Sequence, residues 1–84
     1  LLCGFYSFSQ VGVGTTSPDI SSVLHIDSTN KGVLTPRLTD TQRNSIGTPA
    51  NGLLIFNTTT NRFEYNSGTT AVPVWSPLNS GSSV

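Results

Sequence analysis

The chain has 84 residues, with four basic side chains, four acidic side chains and one histidine, so its net charge at pH 7 is zero. The basic residues are spread over positions 31–62, which leaves no patch to neutralise phosphates and excludes nucleic acid as a partner. A lone Cys3 cannot close an intrachain disulfide, and the scattered acids around a single His25 have no metal-ligand spacing. We therefore predict no metal and no cofactor.

The small size of the chain points to self-association. Below roughly 70 to 80 residues, a single core rarely supplies more than about 3 to 5 kcal/mol of stability, and disulfides, metals or oligomer interfaces make up the difference. With 35% hydrophobic and 10% charged residues, the composition is that of a folded chain. Because the disulfide and the metal are excluded, identical chains are the predicted partners.

The polar residues favour β structure. Twelve Ser, twelve Thr and seven Asn stand where most proteins carry Lys and Glu. Their side chains compete for nearby backbone groups, so they favour turns, caps and strand edges over helix interiors. The composition predicts a mainly β, hairpin-rich fold.

Residues 1–9, LLCGFYSFS, form an apolar, uncharged segment similar to an export signal. Ser7 and Ser9 have the spacing of the small residues before a signal-peptidase site, which places cleavage before Gln10. The segment is far shorter than the roughly 20 residues that span a bilayer, so no stable transmembrane span is expected. Two alternatives are that Cys3 accepts a lipid, and that the segment is retained as an apolar strand buried between subunits.

The rest of the chain is predicted to be one β-rich module over residues 10–78, followed by a Ser/Gly linker over residues 79–84. In the first half of the module, residues 10–16 alternate valine with small residues and predict a short strand or extended arm. Residues 22–27 predict a strand that buries Leu24 and Ile26.

A turn at residues 28–32 is followed by a second extended piece over residues 32–38. Pro36 confines that piece to a sheet edge or an irregular stretch. One short helix is expected from Asp40 to about Ile46, because Thr39 and Gln42 have the spacing of a capping box. Gly47 is expected to stop the helix.

The strongest hairpin signal pairs residues 53–57 with residues 62–66 across a polar four-residue turn. The first strand is apolar on both faces, so a monomer would leave one apolar face in water. The second strand alternates, with Phe63 and Tyr65 opposite Arg62, Glu64 and Asn66, and a last short strand begins at residues 74–75. The predicted oligomer interface consists of seven residues from these strands: Leu53, Leu54, Ile55, Phe56, Phe63, Tyr65 and Trp75.

Several segments of the chain resemble known fibre modules. They are VGVGTTSP at 11–18, KGVLTPRLT at 31–39, TQRNSI at 41–46, PANGLLIFNTTTNRFEYNSG at 49–68 and VW at 74–75. Together they resemble an N-terminal module of exported surface proteins of Bacteroidetes, and the later part is similar to β modules of trimeric phage tail fibres. The resemblance implies a secreted or virion-borne module, commonly trimeric and intertwined, whose fibre binds a receptor through distal parts.

No residue pattern indicates catalysis. His25 and Asp27 share a strand face, but an isolated pair of this kind is typical of a surface hydrogen bond. None of the serines lies in a Gly-x-Ser-x-Gly elbow. We therefore predict that the chain is not an enzyme.

Other side chains have alternative roles. Tyr65 and Trp75, beside Asn57 and Asn66, could form a platform for a surface glycan, although aromatic residues more commonly close a core. Arg37 and Arg43 are candidates for pairing with Asp40 or Glu64 between chains.

Two positions are candidates for glycosylation. Ser28, within Asp27-Ser28-Thr29, resembles an O-glycan acceptor and lies in a predicted exposed turn. Asn57-Thr58-Thr59 is an N-glycan sequon.

The sequence thus predicts a structural and assembly module of an extracellular, cell-surface or virion fibre or adhesin, which forms a homotrimer through its apolar strands. A glycan-binding module is one alternative. The other is a self-polymerising filament subunit in which residues 1–13 insert between neighbours.

Overall fold

The computed structural model describes residues 10–78, so the predictions for the export-like segment 1–9 and the linker 79–84 lie outside the described residues. The chain divides into two compact units, with the boundary between Gly32 and Val33. The described residues contain six short strands and one helix of five residues, and the mainly β fold is confirmed.

The first unit contains a two-stranded parallel sheet. Strands β1 (Val11–Val13) and β2 (Leu24–Ile26) pair so that Val11 lies opposite Leu24 and Val13 opposite Ile26. The pairing is held by hydrogen bonds from the Val11 amide to the Val23 carbonyl, at 2.7 Å, and from the Asp27 amide to the Val13 carbonyl, at 2.8 Å. Both predicted strands are confirmed, although they are shorter than the sequence suggested.

The expected burial of Leu24 and Ile26 is wrong for the single chain. Both side chains are exposed, as are Val11 and Val13, which share their face of the sheet. The alternation along β2 is real, but residues 10–32 of the first unit supply no layer that covers this face. The turn after β2 is confirmed: the Ser28 hydroxyl accepts hydrogen bonds from the amides of Asn30 and Lys31.

The second unit is built on a four-stranded mixed sheet in the order β3-β4-β5-β6. Strand β3 (Arg37–Leu38) runs parallel to β4 (Leu54–Asn57), and β5 (Arg62–Asn66) is antiparallel to both β4 and β6 (Trp75–Pro77). The predicted hairpin is confirmed as β4 and β5. The prediction from Pro36 is also confirmed, because the piece that follows it is an edge strand.

Helix α1 (Asp40–Asn44) begins as predicted and ends two residues early. The Thr39 hydroxyl accepts a hydrogen bond from the Gln42 amide, and the Gln42 side chain accepts one from the Thr39 amide, which completes the capping box. The amides of Ser45 and Ile46 bond to carbonyls three residues back, so the last turn tightens and the helix ends before Gly47.

Candidate oligomer interface

The strand register of the second unit sorts its side chains into two faces. Leu54 pairs with Tyr65 and Phe56 with Phe63, which places these four on one side, here called the open face. Ile55 pairs with Glu64, Asn57 with Arg62, and Asn66 with Trp75 on the other side, here called the covered face. The apolar residues therefore lie mostly on one side and the polar residues mostly on the other.

The open face is apolar and in contact with solvent. Leu54 is 39% exposed and Phe63 is 40% exposed, while Phe56 and Tyr65 are half-buried. The rings of Phe56 and Phe63 meet edge to face, with centroids 5.0 Å apart and planes 77° apart. This edge-to-face arrangement is one that aromatic pairs favour, and it stabilises the two rings against each other.

A groove of about 170 Å³ lies beside these rings and is walled by the segment that leads into β3. Val33 and Leu34 line it and are themselves exposed. The Thr35 hydroxyl also lines it and is buried without a hydrogen-bond partner among the described residues. A buried, unpaired hydroxyl costs free energy, so the groove does not satisfy the Thr35 side chain in the single chain.

The covered face is closed by polar contacts with α1. The Glu64 side chain, 3% exposed, accepts hydrogen bonds from Arg43 Nη1 at 2.9 Å and from Asn57 Nδ2 at 3.0 Å. Asn57 Nδ2 also donates to Asp40 Oδ1 at 2.7 Å. The Arg43 guanidinium lies 5.7 Å from the centre of the Trp75 ring, within cation–π distance. Five side chains thus tie the helix to three strands.

Glu64 is held in its ionised form. Burial favours the neutral acid, but hydrogen bonds from Asn57 and Arg43, together with the charges of Arg43 and Arg62, outweigh that effect. The pKa of Glu64 consequently lies below its ordinary value of 4.5. A buried carboxylate with this many donors acts as a structural anchor of the covered face.

Asn66 has the same role for the loops around the hairpin. Its Nδ2 donates to the carbonyls of Pro49, Ala50 and Thr69, and its Oδ1 accepts from the amides of Gly68 and Val74. The side chain is fully buried, so these backbone groups replace the water that it would otherwise bind. Ile55 is the single large apolar side chain that is buried in residues 10–78.

The second unit therefore buries polar side chains and leaves an apolar surface in water. A family model described as the phage tail like trimerisation region matches residues 12–84. The chain belongs to this family. Neither a curated protein nor a solved structure matches it.

In this trimerisation region, the seven residues of the predicted interface do not lie on one surface. Leu54, Phe56, Phe63 and Tyr65 form the open face. Ile55 is a correction: at 2% exposure it is buried by its own chain on the covered face and has no surface left for a partner. Trp75 lies on the covered face beside Arg43, and Leu53, at 37% exposure, flanks β4. The two-residue alternation of side chains along a strand assigns each residue to one of the two sheet faces, but it does not show which face is covered by the rest of the same chain.

The arginine pairing expected between chains is corrected at Arg43, which pairs with Glu64 at 2.9 Å and with Asp40 at 3.6 Å within one chain of the trimerisation region. Helix α1 carries Arg43 across the covered face, a placement that the sequence did not reveal. Arg37 lines the groove and has no acidic partner in residues 10–78.

The other candidate sites are also resolved by the geometry. Tyr65 and Trp75 lie on opposite faces and do not form one glycan platform. Asn57 of the sequon is fully buried, and its Nδ2 is already donating to two carboxylates, so the folded chain does not present it as an acceptor. Ser28 stays exposed in its turn.

His25 and Asp27 do not form the expected surface pair, because His25 Nδ1 accepts a hydrogen bond from the Asp19 amide at 2.9 Å. Over residues 10–78, no three His, Cys, Asp or Glu side chains converge as metal ligands would. In the same part of the chain, no helix has the length and apolarity needed to cross a membrane.

Proposed function

We propose that this trimerisation region is a non-enzymatic assembly module that joins three identical chains through the open face of its second unit. The central contacts are Leu54, Phe56, Phe63 and Tyr65, with the neighbouring groove completed by another copy. The module belongs to an extracellular, cell-surface or virion fibre or adhesin whose other parts bind a receptor.

The observation that carries the proposal is the inverted distribution of side chains in the second unit. Its covered face is occupied by Glu64, Asn57 and Asn66, while aromatic and aliphatic side chains stay in contact with water. Burying apolar surface is the main favourable term in association, at roughly 25 cal/mol per Å². Because residues 10–78 bury one large apolar side chain, this part of the chain gains most of its apolar burial from its partners.

The family supports the number three, and the open face supports the location. The fibre context rests on the resemblance to exported Bacteroidetes surface proteins and to phage tail-fibre modules, together with the export-like composition of residues 1–9. A module of this kind contributes shape and connection and performs no chemistry, in keeping with the absence of a catalytic pattern in the sequence.

The test is the mass of the full chain in solution, with Phe63→Glu as the variant. The unmodified chain is expected at the mass of three copies. Three glutamates in one apolar contact cannot all be ionised and desolvated, so Phe63→Glu is expected at the mass of one copy. Thr41→Glu, an exposed position on α1, is the matched control and should remain trimeric.

The circular dichroism of Phe63→Glu should retain its β signal, since the covered face is untouched by the substitution. A trimeric Phe63→Glu chain would show that the open face is not the contact. A monomeric unmodified chain at high concentration would overturn the proposed assembly as a whole.

A further inference from the structure

The small parallel sheet of the first unit has one face that its own chain covers. Gly12 and His25 lie opposite each other on that side. A side-chain carbon added at Gly12 would come within 2.7 Å of the Thr15 carbonyl oxygen and 2.9 Å of Pro18 Cγ. His25 is half-buried and bonded to the Asp19 amide. The turn over residues 15–19 therefore packs directly on this side of the sheet.

The opposite face is entirely apolar and is exposed over the described residues 10–32 of this unit. Val11, Val13, Leu24 and Ile26 lie there, and each is between 42% and 55% exposed. Parallel sheets in proteins are normally covered on both faces, and a sheet of only two short strands is marginal in water. Packing of the turn over residues 15–19 at Gly12 explains why the strands form. The exposure of the opposite, apolar side to water remains unfavourable.

We propose that Val11, Val13, Leu24 and Ile26 pack around the threefold axis against the same four side chains of two further copies. This second contact is separate from the open face of the second unit, and it rests on the proposed function only for the number of chains. The family match begins at residue 12 and includes β2 and all of β1 except Val11, so most of this sheet lies within the trimerising region.

The chemistry of the face fits an identical copy as its occupant. Around a symmetry axis every side chain meets its own equivalent, so any charge on such a face would be placed beside the same charge. The four side chains carry no charge and no hydrogen-bonding group. The one ionisable side chain on β2, His25, lies on the opposite side of this small sheet, under the turn over residues 15–19. An uncharged apolar face can pack against its own copies without electrostatic repulsion, which suits it to a position at the symmetry axis.

Neighbouring positions supply a matched test. Leu24 lies on the proposed axial face, and Val23, which is 77% exposed, points to the other side by strand alternation. Leu24→Cys and Val23→Cys are each made in the full chain with Cys3→Ser, so that the introduced thiol is the only one. Both variants are oxidised at low concentration, and their masses are measured under native and denaturing conditions.

Leu24→Cys is expected to be a trimer that yields disulfide-linked dimers under denaturing conditions. Because three thiols surround one axis, no more than two of the three chains can be linked. Val23→Cys should also be a trimer and should give no linked product. In the trimer the Leu24→Cys thiol should react slowly with a maleimide, and in denaturant both thiols should react at the same rate.

The outcomes separate the two proposals. A trimer in which Leu24→Cys stays unlinked and reacts with maleimide as fast as Val23→Cys overturns the axial contact and leaves the proposed function standing. Equal linking of both variants also overturns it. A monomeric unmodified chain overturns the proposed function first. Slow maleimide reaction of an unlinked Leu24→Cys trimer would show that another molecule or segment occupies the face, and it too rejects the axial contact.

Discussion

The two units both expose one apolar sheet face, but they cover the opposite face by different means. The second unit uses a buried network of side chains centred on Glu64, Asn57 and Asn66, with α1 laid across it. The first unit uses a turn of its own backbone against Gly12 and a single hydrogen bond to His25. The second unit is therefore held together by its own side chains, whereas we expect the first unit to depend more on neighbouring chains.

The largest difference between the two units is expected when the three chains are separated. In the monomeric Phe63→Glu chain, the amides of Val11 and Asp27, which hold β1 to β2, are expected to exchange with solvent as in an unfolded peptide. The amides of Phe56 and Thr58, which hold β3 to β4, should keep their protection. Hydrogen exchange measured residue by residue checks both. Equal protection in the two units would contradict the difference.

The covered face of the second unit can be broken directly at Glu64. Glu64→Gln replaces the buried carboxylate with a neutral amide, so the Arg43 guanidinium loses the negative charge of its 2.9 Å partner. Loss of one member of a buried ion pair costs about 3 kcal/mol of the free energy of unfolding. Chemical denaturation of the Phe63→Glu monomer background measures it.

Arg62→Ala is the control for that loss, since its guanidinium lies 3.7 Å from Glu64 and its side chain is 52% exposed. It should cost less than about 1 kcal/mol. Equal losses in Glu64→Gln and Arg62→Ala would show that the network around Arg43 is not the anchor.

Acid should act on the same anchor. The folded-state pKa of Glu64 lies below its ordinary value of 4.5, so its contribution is complete above that pH and is lost as the pH falls through the folded-state pKa. Thermal unfolding of the Phe63→Glu monomer is expected to show a decline in stability below about pH 4.5. The further substitution Glu64→Gln should flatten that decline.

The lowered pKa of Asp19, caused by hydrogen bonds from the Ser21 amide and hydroxyl, adds a similar trend in the first unit. It is present with or without Glu64, so the difference between the two chains isolates the carboxylate of the covered face. Identical pH profiles for the two chains would contradict a structural role for that ionised group.

The smallest expected effect is at the helix cap. Thr39→Ala removes the hydroxyl that accepts from the Gln42 amide, and it should cost about 1 kcal/mol of unfolding free energy. Thr41→Ala, two residues along and exposed, should stay within about 0.5 kcal/mol of the parent. Denaturation of the monomer background distinguishes them. An unchanged Thr39→Ala would mean that the contacts of Asp40 and Arg43 with the sheet hold α1 without the cap.

Local signals in the sequence predicted the elements of this fold well. The capping box of Thr39 and Gln42, the edge position after Pro36 and the hairpin across residues 58–61 each depend on residues close in the chain, and each was confirmed. The family resemblance to tail-fibre modules was confirmed as a trimerisation region. These features can be predicted without knowing which elements pack against each other.

The network of the covered face escaped prediction because its partners are far apart in the chain. The sequence offers Asn57 and Asn66 as neighbours of a glycan platform and Arg43 as a candidate for pairing between chains. All three are internal, since α1 crosses the sheet and the loops fold over Asn66. A polar residue in a strand gives no sign of burial until its hydrogen-bond partners are known.

By itself, the sequence determined that this protein is β-rich and has an apolar strand face that so short a chain cannot bury. The two-residue alternation of Phe63 and Tyr65 with Glu64 and Asn66 is a property of the sequence alone. The tertiary structure alone decided which side stays open. It placed α1, Arg43 and the loops on the polar side, where buried hydrogen bonds satisfy Glu64 and the asparagines. The apolar side of the single chain was thereby left exposed, which is the basis for proposing that other copies cover it.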